Sequence, residues 1–386
     1  MRKLAERTKV IGISRIEESL RILEQKPEII SLGAGEPDFP APKKVIAAAK
    51  KFLDKGYTHY SPLQGKIELL EALTKKLKKE NKIDVTKDEI IITVGSKEAI
   101  FLACATLIDP GDEIIVPDPG YIAYKPIVEF LGGKAIPLQL KEEDNFEIHP
   151  ERLKEIINRK TKLLIINTPS NPTGTVLSRK VLEEIADIIV ENDIYALVDE
   201  AYEKLVYDGA KHISLASLNG MKDYVITTQT FSKTFAMCGF RVGYAVAPSN
   251  IIKEMKEYKI CTTLSPSPFS QLAAVEALKS KKHVEYMRRE YDRRRKLILK
   301  RLKAIPDIHC QKPKGAFYVF PNISKFGMNS EQFTQFLLDR AKVIVIPGTE
   351  FGKYGEGFVR LSYATAYEKI DEAMDRIENV LTKQKI

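Results

Sequence analysis

Tryptophan is missing from this chain of 386 residues, and cysteine is scarce. The four cysteines, at positions 104, 238, 261 and 310, form no CxxC pair, and the five histidines show no metal-ligand spacing. This pattern indicates neither a zinc site nor a disulfide framework, so we expect no bound metal. Reduced cysteines suit a reducing compartment, which favours a cytoplasmic location.

Long hydrophobic runs are missing as well. The longest apolar stretch, Ala99–Ile108, is too short to cross a bilayer, and it contains a threonine. The N-terminal stretch MRKLAERTK lacks the apolar segment of a secretory signal. We therefore expect neither a membrane span nor a membrane partner.

Acidic residues do not balance the basic ones, and the formal net charge is +9. The densest basic run, Arg288–Lys303, has Tyr291, Leu297, Ile298 and Leu302 at helical spacing. That spacing predicts an amphipathic helix whose charges face water. A nucleic-acid patch is the alternative interpretation. Because Lys and Arg are spread along the chain and mixed with Glu and Asp, we expect no nucleic-acid partner.

Short apolar runs alternate with amphipathic helical patterns between residues 89 and 247. This alternation is typical of an α/β fold with a mainly parallel sheet that helices cover on both faces. The predicted strands are Glu89–Val94, Glu113–Val116, Lys162–Asn167, Ile194–Val198, Tyr224–Thr228 and Val242–Ala247.

The two ends of the chain follow other patterns. Residues 1–26 carry Ile13, Ile16, Leu20 and Leu23 at helical spacing, which predicts a charged helical arm. Beyond about residue 275 the sequence indicates a smaller α/β domain. We expect an arm (1–40) that packs with this small domain, a large domain (41–275) and the small C-terminal domain (276–386).

Chemically distinctive side chains fall where the predicted strands end. Parallel sheets bind ligands outside the carboxyl ends of their strands. A glycine turn that opens a helix also offers free backbone N–H groups to a phosphate. We therefore expect one ligand site at this edge of the sheet. The residues concerned are Gly95, Ser96, Tyr121, Asn171, Asp199 and Lys233.

Lys233 follows small hydroxyl residues, and Arg241 comes eight positions later. An amine can form a Schiff base with an aldehyde, and arginine offers a planar fork to a phosphate. Pyridoxal 5'-phosphate combines both groups and takes an acidic partner at its ring nitrogen. A lone lysine is more often a solvated surface residue, so this interpretation depends on the other strand-end residues.

The chain carries seven further motifs, in this order: Gly35-Glu-Pro-Asp-Phe, Tyr60 to Gly65, Asn171-Pro-Thr-Gly, Asp199 to Tyr202, Ser232-Lys-Thr-Phe-Ala-Met, Gly239 to Gly243 and Arg360-Leu-Ser-Tyr-Ala. Together they resemble the aspartate aminotransferase family, the class I/II pyridoxal-phosphate-dependent aminotransferases, and most of all its archaeal-type aspartate and aromatic members. The resemblance implies fold type I: a large domain with a mainly parallel seven-stranded sheet covered by helices, plus a smaller α/β domain.

The resemblance also implies catalytic roles. Lys233 would bind the cofactor as a Schiff base and act as the general acid/base. Asp199 would keep the ring nitrogen protonated, and Tyr202 and Asn171 would hydrogen-bond the phenolic oxygen. Tyr121 would stack on the ring.

Further residues would hold the phosphate and the substrate by the same resemblance. Arg360 would clamp the substrate carboxylate, with Gly35, Tyr121 and Asn171 beside it. Tyr60 would reach the phosphate of the neighbouring subunit, which implies a homodimer. The phosphate ligands of the chain itself would be Ser96, Lys97, Thr230 and Arg241.

Departures from the family pattern are few. Thr230 replaces a more usual serine, and Cys238 and Phe240 stand where threonine and tryptophan are frequent. Thr230 keeps the hydroxyl. The other two changes leave the proposed chemistry intact and make the packing of the pocket hard to predict.

Transamination is the activity that the resemblance implies. The amino group of an L-amino acid, aspartate and/or aromatic, would pass to 2-oxoglutarate by ping-pong kinetics. A C–S lyase or other β-eliminase of the same fold is one alternative. A non-enzymatic pyridoxal-phosphate-binding regulator is another, but such regulators usually carry a fused DNA-binding domain, for which 386 residues leave no space.

Overall fold

The computed structural model describes residues 3–10, 21, 26 and 28–383. Seven strands form one sheet: β2 (Ile90–Thr93), β3 (Glu113–Asp118), β4 (Lys134–Gln139), β5 (Thr161–Asn167), β6 (Tyr195–Asp199), β7 (Val225–Thr230) and β8 (Gly243–Val246). Their order in the sheet is β2-β8-β7-β6-β5-β3-β4. Strand β8 runs antiparallel to β2 and β7, and the other neighbours pair in parallel, so the predicted mainly parallel sheet is confirmed.

Successive residues of each central strand enter opposite cores, because side chains alternate across a sheet. Ile92 and Ile166 lie in one apolar cluster, while Ile91 and Ile165 lie in the cluster on the other face. Helices cover both clusters, which explains why the central strands are nearly continuous apolar runs. The edge strand β4 was not predicted, since it is only partly buried and contains Pro137.

Strands and helices alternate along the chain from β2 to β6. The helix Ile67–Lys76 continues as a π-helical turn over Leu77–Asn81. The helices are α1 (Lys43–Asp54), α2 (Ile67–Lys76), α3 (Gly95–Leu107), α4 (Tyr124–Phe130), α5 (Pro150–Ile156), α6 (Arg179–Asn192), α7 (Phe231–Thr234), α8 (Ser249–Ile260), α9 (Pro268–Ala277), α10 (Lys281–Ala304), α11 (Ser330–Phe336) and α12 (Tyr367–Lys383).

The C-terminal part has a core of its own, in which side chains of α10 and α12 pack against short strands. Strand β1 (Ile30–Ser31) pairs in parallel with β10 (Val343–Ile344). A second small sheet has the order β11-β12-β9, with β9 (Tyr318–Val319), β11 (Ile346–Pro347) and β12 (Val359–Ser362). The predicted stripe of residues 13, 16, 20 and 23 lies outside the described residues, and the domain boundaries stay a prediction.

The basic run Arg288–Lys303 is helical, as predicted, and buries Tyr291, Leu297, Ile298 and Leu302 within α10. The expectation that its charges all face water is wrong for two residues. Arg294 and Arg295 are buried, and ion pairs with Asp38 and Asp208 offset the cost of burying their charges.

Membrane insertion through a helix finds no support in the part of the chain that the structure describes. None of its helices has both the length and the hydropathy that a bilayer crossing requires.

Candidate active site

A cavity of about 750 Å³ opens at the carboxyl ends of the parallel strands. Its walls come from β2–α3, β5, β6, β7–α7 and the C-terminal part of the chain. The expectation that one edge of the sheet collects the distinctive side chains is confirmed. The predicted site residues that line the cavity are Gly35, Ser96, Lys97, Tyr121, Asn171, Asp199, Tyr202, Lys233, Arg241 and Arg360.

One end of the cavity is built for an anion. Helix α3 begins at Gly95, and the first backbone N–H groups of a helix have no partner within it. Gly243 lets β8 pack closely against the start of α3, because a Cβ at this position would lie 2.5 Å from the Gly95 carbonyl carbon. Ser232 and Arg241 line the same cavity, and Arg241 donates to Val94 O at 3.3 Å.

Lys233 was expected in a turn, and it lies in the short helix α7. Its Nζ donates to the backbone oxygen of Gly35 at 2.6 Å. Burial lowers the pKa of this ammonium below its usual value, which favours the neutral and nucleophilic amine.

Asp199 is the last residue of β6 and is almost fully buried. Its Oδ1 accepts from Ala201 N at 3.1 Å, and its Oδ2 accepts from the Tyr124 hydroxyl at 2.9 Å. Burial raises the pKa of this carboxyl to about 6, although the Tyr124 hydrogen bond opposes the rise. A buried cation beside it would find its charge partner here.

Arg360 lies on β12 and is only 1% exposed. It donates to Asn171 Oδ1 at 3.0 Å and to Gly33 O at 2.6 Å, which are both neutral oxygens. Its buried Nε has no hydrogen-bond partner among the described residues. Burial lowers the pKa of this guanidinium. A carboxylate in the cavity would supply both the missing acceptor and the missing negative charge.

Two predicted residues lie elsewhere. Thr230 is buried behind the cavity wall, where its hydroxyl accepts from Ser232 N at 3.1 Å. Tyr60 is 88% exposed and does not line the cavity.

Several residues of the wall have no role predicted from the sequence: Ser232, Asn167, Tyr318 and, behind Asp199, Tyr124. Asn167 is the last residue of β5, so its place at a strand end was a usable signal. Tyr124 begins α4 three residues after Tyr121, which is helical spacing.

The family model described as aminotransferase class I and II matches residues 27–377. The chain belongs to this family. It is 46% identical over 387 residues to the aspartate aminotransferase of Pyrococcus abyssi, and the match covers 99% of each chain. It is also 46% identical to aromatic-amino-acid aminotransferase 2 of Thermococcus litoralis, again over 99% of both chains.

Solved structures of aminotransferases share the whole fold. The structure of Thermus thermophilus aspartate aminotransferase with maleate has a TM-score of 0.94 at 38% identity, covering 98% of this chain and 100% of that one. This aminotransferase therefore has fold type I, and pyridoxal 5'-phosphate is its cofactor.

The cavity of this aminotransferase fits the cofactor. The α3 N-terminus and Arg241 suit its phosphate, the lowered pKa of Lys233 suits a covalent bond to its aldehyde, and Asp199 suits a protonated ring nitrogen. Gly243 contributes to this fit indirectly, because a side chain there would meet the Gly95 and Ser96 backbone and displace the start of α3.

A second cluster of charged groups lies outside the cavity walls. Glu200, Glu203 and His212 bring potential metal ligands within 4.8 Å of one another. Glu203 already forms an ion pair with Lys76 at 2.6 Å, and both carboxylates accept from Gln229 Nε2 at 3.0 Å. A metal ion would have to displace these partners, so our expectation of a metal-free enzyme stays a prediction.

Proposed function

We propose that this aminotransferase transfers the amino group of aspartate and/or aromatic L-amino acids to 2-oxoglutarate, with one site serving both substrates in turn. The observation that carries the proposal is Arg360, a buried guanidinium with neutral partners that faces the same cavity as Lys233. The names of the relatives from Pyrococcus abyssi and Thermococcus litoralis support these two donor classes.

The residues of the cavity divide the work by their chemistry. When bound, the cofactor supplies an electron sink for the bonds at the substrate α-carbon. Lys233 Nζ takes the α-proton and returns it, since its lowered pKa keeps part of the amine neutral. Asp199 stabilises positive charge at the ring nitrogen from its buried position. Tyr121 and Tyr202 line the same cavity, where Tyr121 would pack on the ring face of the cofactor and Tyr202 would donate to its phenolic oxygen.

Other residues of the cavity wall would bind the cofactor and the substrate. Asn171 accepts from Arg360 through Oδ1, which leaves its amide N–H groups as donors toward the phenolic oxygen and substrate. Ser96 and Lys97 contribute the first turn of α3 to the phosphate, and Arg241 adds its guanidinium. Gly35 forms the wall next to the carboxylate.

Thr230 has a revised role in this proposal. It orders Ser232, which lines the cavity and offers its own hydroxyl, through the hydrogen bond at Ser232 N.

We also propose a homodimer in the cytoplasm. Tyr60 is a large side chain that is 88% exposed on a loop held at both ends, since Ser61 Oγ donates to Pro266 O and Lys66 N donates to Gln271 Oε1. An ordered and exposed tyrosine suits a contact with the phosphate of a second subunit. Four free thiols suit a reducing compartment.

A donor screen with 2-oxoglutarate tests the substrate proposal. Purified enzyme with bound cofactor is offered each common L-amino acid, and glutamate formation is measured. We expect aspartate or an aromatic amino acid to give the highest kcat/KM. Cysteine conjugates serve as the control for β-elimination. Release of pyruvate from them, without glutamate formation from any donor, would favour the C–S lyase alternative.

A further inference from the structure

Tyr318 lies in the cavity wall at the start of β9 and is 1% exposed. The motifs that suggested the other site residues do not include it. Its hydroxyl and its ring face two different parts of the site. The hydroxyl lies 2.9 Å from the Tyr202 hydroxyl, and the ring lies under the Arg360 guanidinium, with Cζ 4.5 Å from the ring centroid.

The hydroxyls of Tyr202 and Tyr318 share one hydrogen bond. Burial raises the pKa of both Tyr202 and Tyr318, so both carry their protons at neutral pH. Each phenol can donate one hydrogen bond, and only one of the two protons fits between the oxygens. If Tyr318 donates, the Tyr202 proton is left to point into the cavity. A phenol that accepts a hydrogen bond is also a stronger donor.

The Tyr318 hydroxyl fits closely against Gly35. A Cβ on Gly35 would lie 2.9 Å from the Tyr318 oxygen, so only a glycine leaves room there without displacement. The ring is fitted as well, because Arg360 Cζ lies 4.9 Å from the Phe351 centroid and 4.5 Å from that of Tyr318. Two aromatic rings therefore position the guanidinium that reads the substrate carboxylate.

We propose that Tyr318 is a positioning residue for transamination, whose hydroxyl directs the Tyr202 proton toward the phenolic oxygen of the cofactor and whose ring holds Arg360 in place for the substrate carboxylate. This inference rests on the roles proposed above for Tyr202 and Arg360. The hydroxyl of Tyr318 acts on Tyr202 and its ring acts on Arg360, so substitutions of Tyr318 can separate the two effects.

The hydroxyl is tested with Tyr318→Phe, which keeps the ring. The measurement is the pH midpoint at which the absorbance of the bound cofactor changes. Weaker donation to the phenolic oxygen disfavours its ionised form, so we expect the midpoint to rise by roughly 0.4–1 pH unit. The KM for amino acids should stay within about twofold, because the ring still supports Arg360.

The ring is tested with Tyr318→Leu. We expect the same rise in the midpoint and, in addition, a KM raised by roughly tenfold for every amino acid and every 2-oxo acid, the equivalent of losing a desolvated cation–π contact. Equal KM values in the Phe and Leu variants would overturn the role of the ring.

Two controls keep these outcomes distinct. Tyr207→Phe removes another buried hydroxyl, which donates to Ala316 O at 2.6 Å outside the cavity, and it should lower thermal stability without moving the midpoint. Tyr202→Phe should move the midpoint more than Tyr318→Phe. A shift in Tyr202→Phe alone would overturn the role of Tyr318. No shift in either variant would instead overturn the assignment of Tyr202.

Discussion

Asp199 and Glu200 are consecutive carboxylates at the end of one strand, and both are buried, yet they belong to opposite kinds of environment. Asp199 lines the cavity, and its pKa rises to about 6 because burial outweighs its two hydrogen bonds. Glu200 belongs to a buried set of ion pairs and hydrogen bonds with Glu203 and Lys76, which we call the ion-pair network. Ser214, Gln229 and His212 surround the Glu200 carboxylate.

In the ion-pair network, buried charges have partners of opposite charge. Lys76 contacts Glu203 at 2.6 Å and also donates to Gln229 and Tyr244. Burial alone would raise the pKa of Glu203, but Lys76 and Lys204 lower it far below its usual value. The cavity instead keeps buried charged groups without full compensation, such as the Arg360 guanidinium. Neighbouring residues can therefore serve stability in one region and ligand binding in the other.

The largest effect is expected in the cavity, from Lys233→Ala. Turnover should fall by roughly 10²–10⁴-fold or more, because the variant lacks the amine that we propose as both the covalent attachment and the general acid/base. Thermal stability of the cofactor-free protein should not fall, since burial disfavours the ammonium that is removed.

Borohydride reduction followed by peptide mapping checks the same residue. In the wild type and in Lys97→Ala, a matched loss of another cavity lysine, the cofactor should be fixed on the Lys233 peptide. Labelling of a different lysine in the wild type would contradict the assignment.

The converse effect is expected in the network, from Glu203→Ala. Removing Glu203 leaves the buried Lys76 ammonium without its carboxylate partner, which should cost about 3–5 kcal/mol of unfolding free energy. Denaturant unfolding at pH 7 measures this loss. Because the pKa of Glu203 is lowered in the folded protein, its contribution is present above the unfolded value of 4.5 and declines as the pH falls below it.

The matched control for the network is Glu183→Ala, which breaks an exposed helical ion pair with Arg179 and should change stability by less than about 0.5 kcal/mol. Turnover per folded enzyme should stay near normal in both variants. A Glu203→Ala protein with wild-type stability would refute the contrast between the two regions.

Much of the cavity could be predicted, because its residues follow strands whose apolar runs are plain in the sequence. The network could not be predicted from spacing. Lys76 and Glu203 are far apart along the chain, and nothing local distinguishes this lysine from the solvated ones around it. Arg295 and Asp208 illustrate the same limit, since tertiary packing alone brings them together. Tyr318 lies within the short strand β9 and outside the motifs, so neither a strand end nor a motif marks it in the sequence.

A smaller effect on binding is expected from Arg360→Lys, which keeps the charge and removes the planar fork. The loss of transition-state binding should be about 2–5 kcal/mol, measured from kcat/KM. It should appear for aspartate, phenylalanine and 2-oxoglutarate alike, because all three share the carboxylate, while amines without a carboxylate should change much less. A defect confined to the dicarboxylates would mean that Arg360 binds the substrate side chain.

The smallest effect is expected from Asp199→Asn in the cofactor-free protein, and it has the opposite sign to that of the network. The folded pKa of about 6 lies above the unfolded value of 3.8, so the folded protein binds more protons between these values and wild-type stability falls as the pH rises through them. The variant lacks this loss.

Asp199→Asn should therefore be more stable than the wild type above pH 6, on the order of 1–3 kcal/mol, and the difference should vanish near pH 4. Denaturant unfolding across this pH range measures it. Asp208→Asn is the control with reversed sign, because Arg295 and Lys312 lower the pKa of Asp208 and its loss should destabilise the protein at neutral pH. Equal destabilisation of both variants at pH 8 would mean that partners stabilise the Asp199 charge as they do that of Asp208. Asp199 and Glu200 would then not differ in environment.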